Sequence, residues 1–159
     1  MSEIGMIEVE EQPTVGLRQT IRMEEMTAFF ERTFSQVMST LHAAGVHPTG
    51  APFARYRGTP TDVVDIEAGF PVSEPFETSG TFIAGILPAA RAVEVVHVGP
   101  YDQLPQTYGR IEAWMAEKGL RPLDDMWEWY DSGPSSDPDP STWRTRIIWP
   151  VSGPEVESA

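Results

Sequence analysis

The chain carries two stretches in which apolar residues recur at the spacing of a helix. Intervals of three and four residues place side chains on one helical face. We therefore predict one helix from Glu24 to about residue 44 and a second from Asp102 to Lys118, ended by Gly45 and Gly119. The two apolar stripes are Phe30, Phe34, Val37 and Leu41, and Leu104, Tyr108, Ile111 and Met115.

Shorter apolar runs, bounded by Gly or Pro, predict strands around these helices. The stretch 6–21 predicts one entry strand, or two strands broken at Pro13. Further strands are predicted at 53–56, 62–70, 81–87, 93–98, 127–130 and 143–149.

The second half of this pattern repeats the first at a constant offset. Adding 74 to the positions of Phe30, Gly45 and Tyr56 gives Leu104, Gly119 and Tyr130, each a residue of the same kind. The chain is therefore interpreted as one domain, residues 1–159, made of two copies of strand–helix–strand–strand. The copies span about 6–72 and 92–151, and a polar tail occupies 152–159.

Two such units predict an α+β fold with pseudo-twofold symmetry. Its antiparallel sheet would carry both helices on one face and a ligand groove on the other. A concave apolar surface with a few polar groups is the usual form of a small-molecule site.

A candidate for the polar group in that groove is Glu128, which lies in the aromatic run Trp127-Glu128-Trp129-Tyr130. Side chains alternate along a strand, so Glu128 and Tyr130 share one face. If Trp127 and Trp129 face the helices, then Glu128 and Tyr130 face the groove. A half-buried carboxylate among aromatic rings attracts a cationic ligand. The alternative is a structural ion pair with Arg144 or Arg146 on the last strand.

The same parity argument adds Ala54 and Tyr56, the repeat counterparts of Glu128 and Tyr130, to the groove face. The two tyrosines are either groove liners or ordinary strand tyrosines. Trp149, at the end of the last strand, either closes the groove or packs in the core.

Four other residues have simpler interpretations. For His97 we expect a hydrogen-bonded structural role near a strand end rather than a catalytic one. For Tyr101 we expect helix-capping packing, the alternative being a place near the groove mouth. Asp65 and Glu67 alternate on one strand, where charge pairing on a solvated face accounts for them.

Composition excludes several classes of function. A net charge of −13 disfavours direct binding of nucleic acid or of an anionic membrane surface. With no cysteine and three scattered histidines, neither a disulfide nor a metal site is expected, and no cofactor is implied. The chain shows no signal peptide and no membrane-spanning run, so the cytoplasm is the expected compartment.

Several motifs, in this order and spacing, are similar to one known family. They are His97-Val98-Gly99-Pro100-Tyr101, the helix through Tyr108, Trp114 and Gly119, Glu128-Trp129-Tyr130, Ile148-Trp149-Pro150-Val151 and, in the first half, Asp65-Ile66-Glu67 through Phe70-Pro71-Val72. Together they resemble the GyrI-like small-molecule-binding domain, which also serves as the effector-binding half of many multidrug-responsive transcription regulators.

The resemblance implies a duplicated α+β fold that binds bulky, often cationic aromatic compounds, with Glu128 in the groove. It leaves three functions open. The chain binds hydrophobic, cationic or polyaromatic small molecules for sequestration or sensing. Alternatively, it is a hydrolase that opens strained cyclopropane rings of DNA-alkylating compounds, with Glu128 and Tyr130 or Tyr56 as catalytic groups. The third possibility is an acidic inhibitor that binds a protein partner, as some members bind gyrase.

Overall fold

The computed structural model describes residues 4–58, 61–74, 82–133 and 138–153. In these ranges the chain forms two α-helices and nine strands, an α+β fold in which all assigned strand pairs run antiparallel. Contacts between residues divide it into two compact units. The central unit comprises Glu10–Ala89, and the terminal unit combines Met1–Val9 with Ala90–Ala159. Residues 154–159 of the predicted tail lie outside the described residues.

The central unit contains a first copy of the predicted strand–helix–strand–strand unit, followed by one more strand. Its elements are β2 (Gln12–Arg22), α1 (Met26–Ala43), β3 (Phe53–Arg57), β4 (Val63–Pro71) and β5 (Ile83–Leu87). The strands pair in the order β3–β4–β2–β5. The register of the longest pair runs from Thr14 opposite Pro71 to Arg22 opposite Val63.

Helix α1 packs its apolar face on one side of this sheet. Its buried residues are spaced by four and include Phe29 and Thr33 together with the predicted Val37 and Leu41. The predicted Phe30 and Phe34 are half-buried at the margin of this face. The core beneath the helix consists of Val15, Leu17, Val37, Leu41, Phe70 and Val72.

The terminal unit repeats this arrangement with β6 (Ala90–Val98), α2 (Leu104–Lys118), β8 (Asp125–Tyr130) and β9 (Arg144–Ser152). It also contains β1 (Gly5–Val9) and β7 (Arg121–Pro122). Its strands pair in the order β1–β6–β9–β8, and a short β7 pairs with the end of β9. The core under α2 includes Val93, Val95, Ile111, Met115 and Ile147.

The N-terminal strand β1 differs from the prediction for residues 6–21. β1 ends at Val9 and pairs with β6 of the terminal unit, so it does not continue into the first repeat. Pro13 does not break the next strand either, because it is only the second residue of β2. Proline is accepted near a strand start, and the Pro13 carbonyl still receives the Val72 N–H at 3.0 Å.

Neither α1 nor α2 has the length and apolar composition that a bilayer-spanning helix requires.

Candidate functional site

Glu128 lies in the middle of strand β8 and is only 3% exposed. Its neighbour Trp127, which points to the other face of the sheet, is 2% exposed. The strand is therefore covered on both faces. A buried carboxylate needs hydrogen-bond donors, since removing it from water without them is costly.

Tyrosine hydroxyls act as donors to both carboxylate oxygens of Glu128. The hydroxyl of Tyr130, two residues along β8, donates to Oε1 at 2.7 Å. The hydroxyl of Tyr108, on α2, donates to Oε2. Hydrogen bonds to a charged acceptor are stronger than those between neutral groups. Both donors are neutral, so these two contacts fix the carboxylate without cancelling its charge.

The face on which Glu128 lies is the opposite of the predicted one. Glu128 pairs with Ile147 of β9, a residue of the core under α2, and it bonds Tyr108 of the same helix. Glu128 and Tyr130 therefore face helix α2, and Trp127 and Trp129 face away from it. Alternation fixes which residues share a face, whereas contact with the helix decides which face that is.

Arg144 and Arg146, the ion-pair partners that the sequence offered for Glu128, project to the other face of the sheet. Arg146 lies opposite Trp129 in the β8–β9 register, so it points to the face away from Glu128. Its guanidinium contacts Asp131, with Nε 3.3 Å from Oδ2, and lies over the Trp129 ring. Arg144 shares the parity of Arg146 on β9.

Aromatic rings adjoin the carboxylate on the α2 side of the sheet. The Tyr101 ring meets the Tyr130 ring edge-on at 6.0 Å between centroids, and the Trp143 ring lies 5.0 Å from Tyr101. The Trp149 ring meets Tyr108 edge-on at 5.9 Å. We call this set the Glu128 cluster: Glu128, Tyr101, Tyr108, Tyr130, Trp143 and Trp149.

The electrostatics of Tyr101 link it to the same cluster. Burial raises the pKa of the Tyr101 phenol above its usual value, and the negative charge of Glu128 raises this pKa further. The phenol of Tyr101 is therefore held in its neutral form close to a carboxylate, where it acts as an apolar surface with one hydroxyl.

Two of the predicted ligand-binding residues, Ala54 and Tyr56, lie on β3 of the central unit. They pair with Ala68 and Ile66 of β4, on the sheet face that carries the core under α1. The prediction that they face away from the helices is thus wrong, for the same reason as for Glu128. Their participation in a ligand site together with Glu128 stays a prediction.

The position of Trp149 agrees with the core alternative, and its closing of a groove stays a prediction. It is half-buried against the core of the terminal unit and also contacts the Tyr108 ring of the Glu128 cluster.

Of the paired acids on β4, one follows the prediction and one does not. Asp65 forms an exposed pair with Arg18, with 2.7 Å between Oδ2 and Nη2. Glu67, by contrast, is 3% exposed, so it does not lie on a solvated face. Its Oε1 is 2.7 Å from Nη2 of Arg57.

The ligand-binding residues chosen from the sequence did not include Tyr101, Tyr108 or Trp143. Tyr108 was assigned to the apolar stripe of its helix, although a tyrosine in such a stripe brings a hydroxyl that needs a buried partner. Tyr101 and Trp143 lie outside the α-helices and strands, where no periodicity indicates orientation.

The described ranges contain no group of three or more His, Asp or Glu side chains that could hold a metal ion.

Comparison with known proteins agrees with this architecture. The family model of the GyrI-like small molecule binding domain matches residues 2–152. The chain belongs to this family. A search of curated protein sequences gives no match for this GyrI-like domain.

Among solved structures, the C-terminal domain of EcmrR superposes on this GyrI-like domain with a TM-score of 0.86 and 23% sequence identity. The alignment covers 97% of this chain and 99% of that domain. A cryo-EM structure of an EcmrR–DNA complex matches with the same TM-score and 23% identity. There the alignment covers 96% of this chain but only 58% of the EcmrR chain.

Two more distant structures share the fold. SAV2435 bound to tetraphenylphosphonium has a TM-score of 0.67 at 12% identity, with 95% of this chain and 94% of that chain covered. A hydrolase from Listeria innocua has a TM-score of 0.62 at 14% identity, with 94% and 92% covered.

Proposed function

We propose that this GyrI-like domain binds hydrophobic small molecules with a delocalised positive charge, and that the Glu128 cluster is their site. The observation that carries the proposal is a nearly buried carboxylate, 3% exposed, whose two oxygens receive tyrosine hydroxyls. The surrounding rings belong to tyrosine and tryptophan, which are the side chains that bind organic cations best.

Electrostatic attraction in this setting does not require a hydrogen bond from the ligand. Tyr108 and Tyr130 occupy one direction at each oxygen of Glu128. A phosphonium or quaternary ammonium ion has no N–H or O–H donor, so it does not compete with these hydroxyls. Because its charge is weakly hydrated and the carboxylate is already desolvated, the attraction is stronger than at a solvated surface.

The rings of Tyr101 and Trp143 provide the apolar part of the proposed site. Their centroids are 5.0 Å apart and their planes are tilted by 37°. Such surfaces contact the flat faces of aromatic ligands and contribute cation–π attraction at the same time. Tetraphenylphosphonium, which is bound by SAV2435, combines both ligand properties.

In the cell, binding would sequester the compound or report its presence. The chain matches the C-terminal domain of EcmrR, and the remaining part of EcmrR has no counterpart in it. In a sensing role, a separate partner would respond to the bound state. Both roles are consistent with the expected cytoplasmic location.

Tryptophan fluorescence tests this proposal directly, because Trp143 and Trp149 belong to the Glu128 cluster. We expect tetraphenylphosphonium to quench the emission saturably, and Glu128→Gln to raise its Kd about tenfold or more. Triphenylphosphine oxide, which has similar rings but no net charge, is the matched ligand control. Equal loss of affinity for both compounds in Glu128→Gln would refute the role of the charge. Absence of saturable binding by the wild-type protein would refute the site.

A second function, hydrolysis of a strained cyclopropane in a DNA-alkylating compound, is supported by the same carboxylate. A buried acid held by two hydroxyls is able to accept a proton from an attacking water. As the oxygen of water bonds to a ring carbon, one C–C bond of the cyclopropane breaks and its electron pair passes to a conjugated oxygen of the compound. Tyr130 would donate a hydrogen bond to that oxygen, and its protonation completes the hydrate. Fold similarity to the Listeria innocua hydrolase adds to this candidate.

Product analysis separates catalysis from binding. Incubation of a cyclopropane-bearing alkylator with the protein would give the ring-opened hydrate, and Glu128→Gln would abolish it. The alkylator could quench the tryptophan emission of the wild-type protein while no product forms above the buffer rate. In that case the protein binds the compound without hydrolysing it.

A further inference from the structure

The connection from β6 to α2 places Tyr101 in the Glu128 cluster. Val98 ends β6, Gly99 and Pro100 follow, and Tyr101 begins a short 3₁₀ turn before the helix. Tyr101 then contacts the rings of Tyr130 and Trp143. The conformation of two linking residues therefore decides where this ring lies.

His97, the penultimate residue of β6, is hydrogen-bonded to that connection. Its Nε2 lies 3.1 Å from the carbonyl oxygen of Pro100, and its Nδ1 lies 2.7 Å from the hydroxyl of Thr107 on α2. A carbonyl oxygen only accepts, so Nε2 carries the proton. In the neutral ring Nδ1 then accepts the hydrogen bond from Thr107. The side chain is 5% exposed, so the two bonds are made away from water.

We propose that His97 is a positioning residue of the ligand site. By donating to the Pro100 carbonyl, the His97 ring fixes the residue that precedes Tyr101. It thereby holds the Tyr101 ring against Tyr130 and Trp143. This inference rests on the proposed function only in naming the cluster a ligand site. The effect of His97 on Tyr101 is a property of the unliganded protein.

The packing around Tyr101 makes its position sensitive to this anchor. A Cβ added at Gly133 would lie 2.5 Å from the Tyr101 hydroxyl oxygen, so the phenol is closely packed at its far end. At the near end the backbone N–H of Gly99 bonds the Trp143 carbonyl at 2.8 Å. The hydrogen bond from His97 to the Pro100 carbonyl holds the backbone at the residue directly before Tyr101, between these two contacts.

Two amide substitutions of His97 separate its hydrogen bonds. The side-chain nitrogen of glutamine reaches about as far as Nε2, whereas that of asparagine reaches only as far as Nδ1. His97→Gln is therefore expected to keep a donor for Pro100, and His97→Asn to lose it. Each variant is compared with the same protein carrying Tyr101→Phe, so that the difference in phenol absorbance at alkaline pH belongs to Tyr101.

In this titration we expect His97→Asn to move the midpoint of Tyr101 down toward that of a solvated tyrosine, because the ring loses its buried position. His97→Gln is expected to restore the wild-type midpoint. Equal midpoints in wild type, His97→Asn and His97→Gln would overturn the proposal.

A binding measurement with tetraphenylphosphonium connects the anchor to the site. His97→Asn is expected to raise the Kd about two- to fivefold, the contribution of one aromatic face to binding a cation, and His97→Gln to restore it. Wild-type protein that does not bind the compound would refute the proposed function and leave the titration as the test of positioning. An unchanged Kd alongside a lowered midpoint would overturn the assignment of His97 to the ligand site.

If His97→Asn does not fold, two threonines provide a second test. Thr107→Val removes the hydroxyl that orients the His97 ring and is expected to lower the Tyr101 midpoint. Thr145→Val removes an equally buried hydroxyl opposite His97 in the β6–β9 register, which has no hydrogen-bond partner, and is expected to leave the midpoint unchanged. The same midpoint in both variants would contradict the positioning role.

Discussion

The hydroxyl of Tyr108, on helix α2, donates a hydrogen bond to the Oε2 oxygen of Glu128, on strand β8. This contact joins an apolar helix stripe to the acidic residue that lies between two tryptophans of β8. It shows that the acidic side chain lies under the helix. The carboxylate of Glu128 is therefore on the same sheet face as the hydrophobic core of the terminal unit.

Removing either tyrosine hydroxyl from Glu128 should destabilise the protein. In Tyr130→Phe or Tyr108→Phe a buried carboxylate oxygen loses a donor, at a cost of about 1–3 kcal/mol in the free energy of unfolding. Urea denaturation measures this as a lower midpoint with an unchanged slope.

Glu128→Gln provides the background that tests the cause. Its amide has one acceptor oxygen and no charge, so each Tyr→Phe change is expected to cost less there than in the wild-type protein. Equal costs in both backgrounds would mean that the hydroxyls act through contacts other than Glu128.

The titration of Tyr101 should respond to Glu128 without any ligand. Burial is the larger cause of the raised pKa of Tyr101 and the charge of Glu128 the smaller. Glu128→Gln is therefore expected to lower this pKa and to leave it above that of a solvated tyrosine. The unfolded protein releases the proton first, so the stability that Tyr101 contributes is present below pH 10 and is lost as the pH rises through the folded value.

Stability measured as a function of alkaline pH checks this effect. Tyr101→Phe should lose less stability than wild type above about pH 10, the ordinary pKa of tyrosine. Parallel curves for the two proteins would contradict a raised pKa for Tyr101.

Local pattern in the sequence was sufficient to predict the helices, the repeat and the strands of the site. Tyr56 and Tyr130, at matching repeat positions, lie on β3 and β8, the matching strands. Orientation relative to the helices could not be predicted in this way. A period of two relates residues on one strand to each other, but it carries no information about which face the helix covers.

Residues whose partners are distant in sequence were also missed. Strand β1 pairs with β6, whose register joins Gly5 to Glu94, and no local signal indicates a partner that far along the chain. Trp143 follows a 3₁₀ turn and contacts Tyr101 through side-chain packing. Such contacts depend on tertiary structure.

The two ion pairs of the central unit should differ in their effect on stability. Arg57→Leu leaves Glu67 buried without its cation, and we expect a loss of about 3 kcal/mol. Arg18→Leu removes an exposed pair with Asp65, and a change within about 1 kcal/mol is expected. Urea denaturation of both variants measures the contrast.

A compensating variant and a pH series complete this test. Glu67→Met combined with Arg57→Leu should recover most of the stability, because no charge then remains buried. Arg18 holds the pKa of Asp65 below its usual 3.8, so the exposed pair stabilises the fold above that pH and ceases to do so as the pH falls through the lowered value. Equal losses in Arg57→Leu and Arg18→Leu at neutral pH would contradict the difference in burial.

Two glycines should respond to alanine in opposite directions. In the register of β2 and β4, Gly69 lies opposite Gly16, and a Cβ on Gly69 would come within 2.0 Å of the Val15 carbonyl oxygen and 2.6 Å of the Gly16 Cα. Both atoms are backbone, so relief would require the paired strands to separate. We expect Gly69→Ala to lower the free energy of unfolding by about 3 kcal/mol.

Gly109 is the matched control, since it lies inside α2 and nothing lies within 4 Å of an added Cβ. Alanine there removes backbone freedom from the unfolded chain and favours the helix, so Gly109→Ala should raise the free energy of unfolding by about 0.5–1 kcal/mol. Thermal and urea denaturation of both variants measure the two signs. If Gly69→Ala were as stable as the wild-type protein, β2 and β4 would be further apart than the structure has them. The packing of their shared face under α1 would then need to be revised.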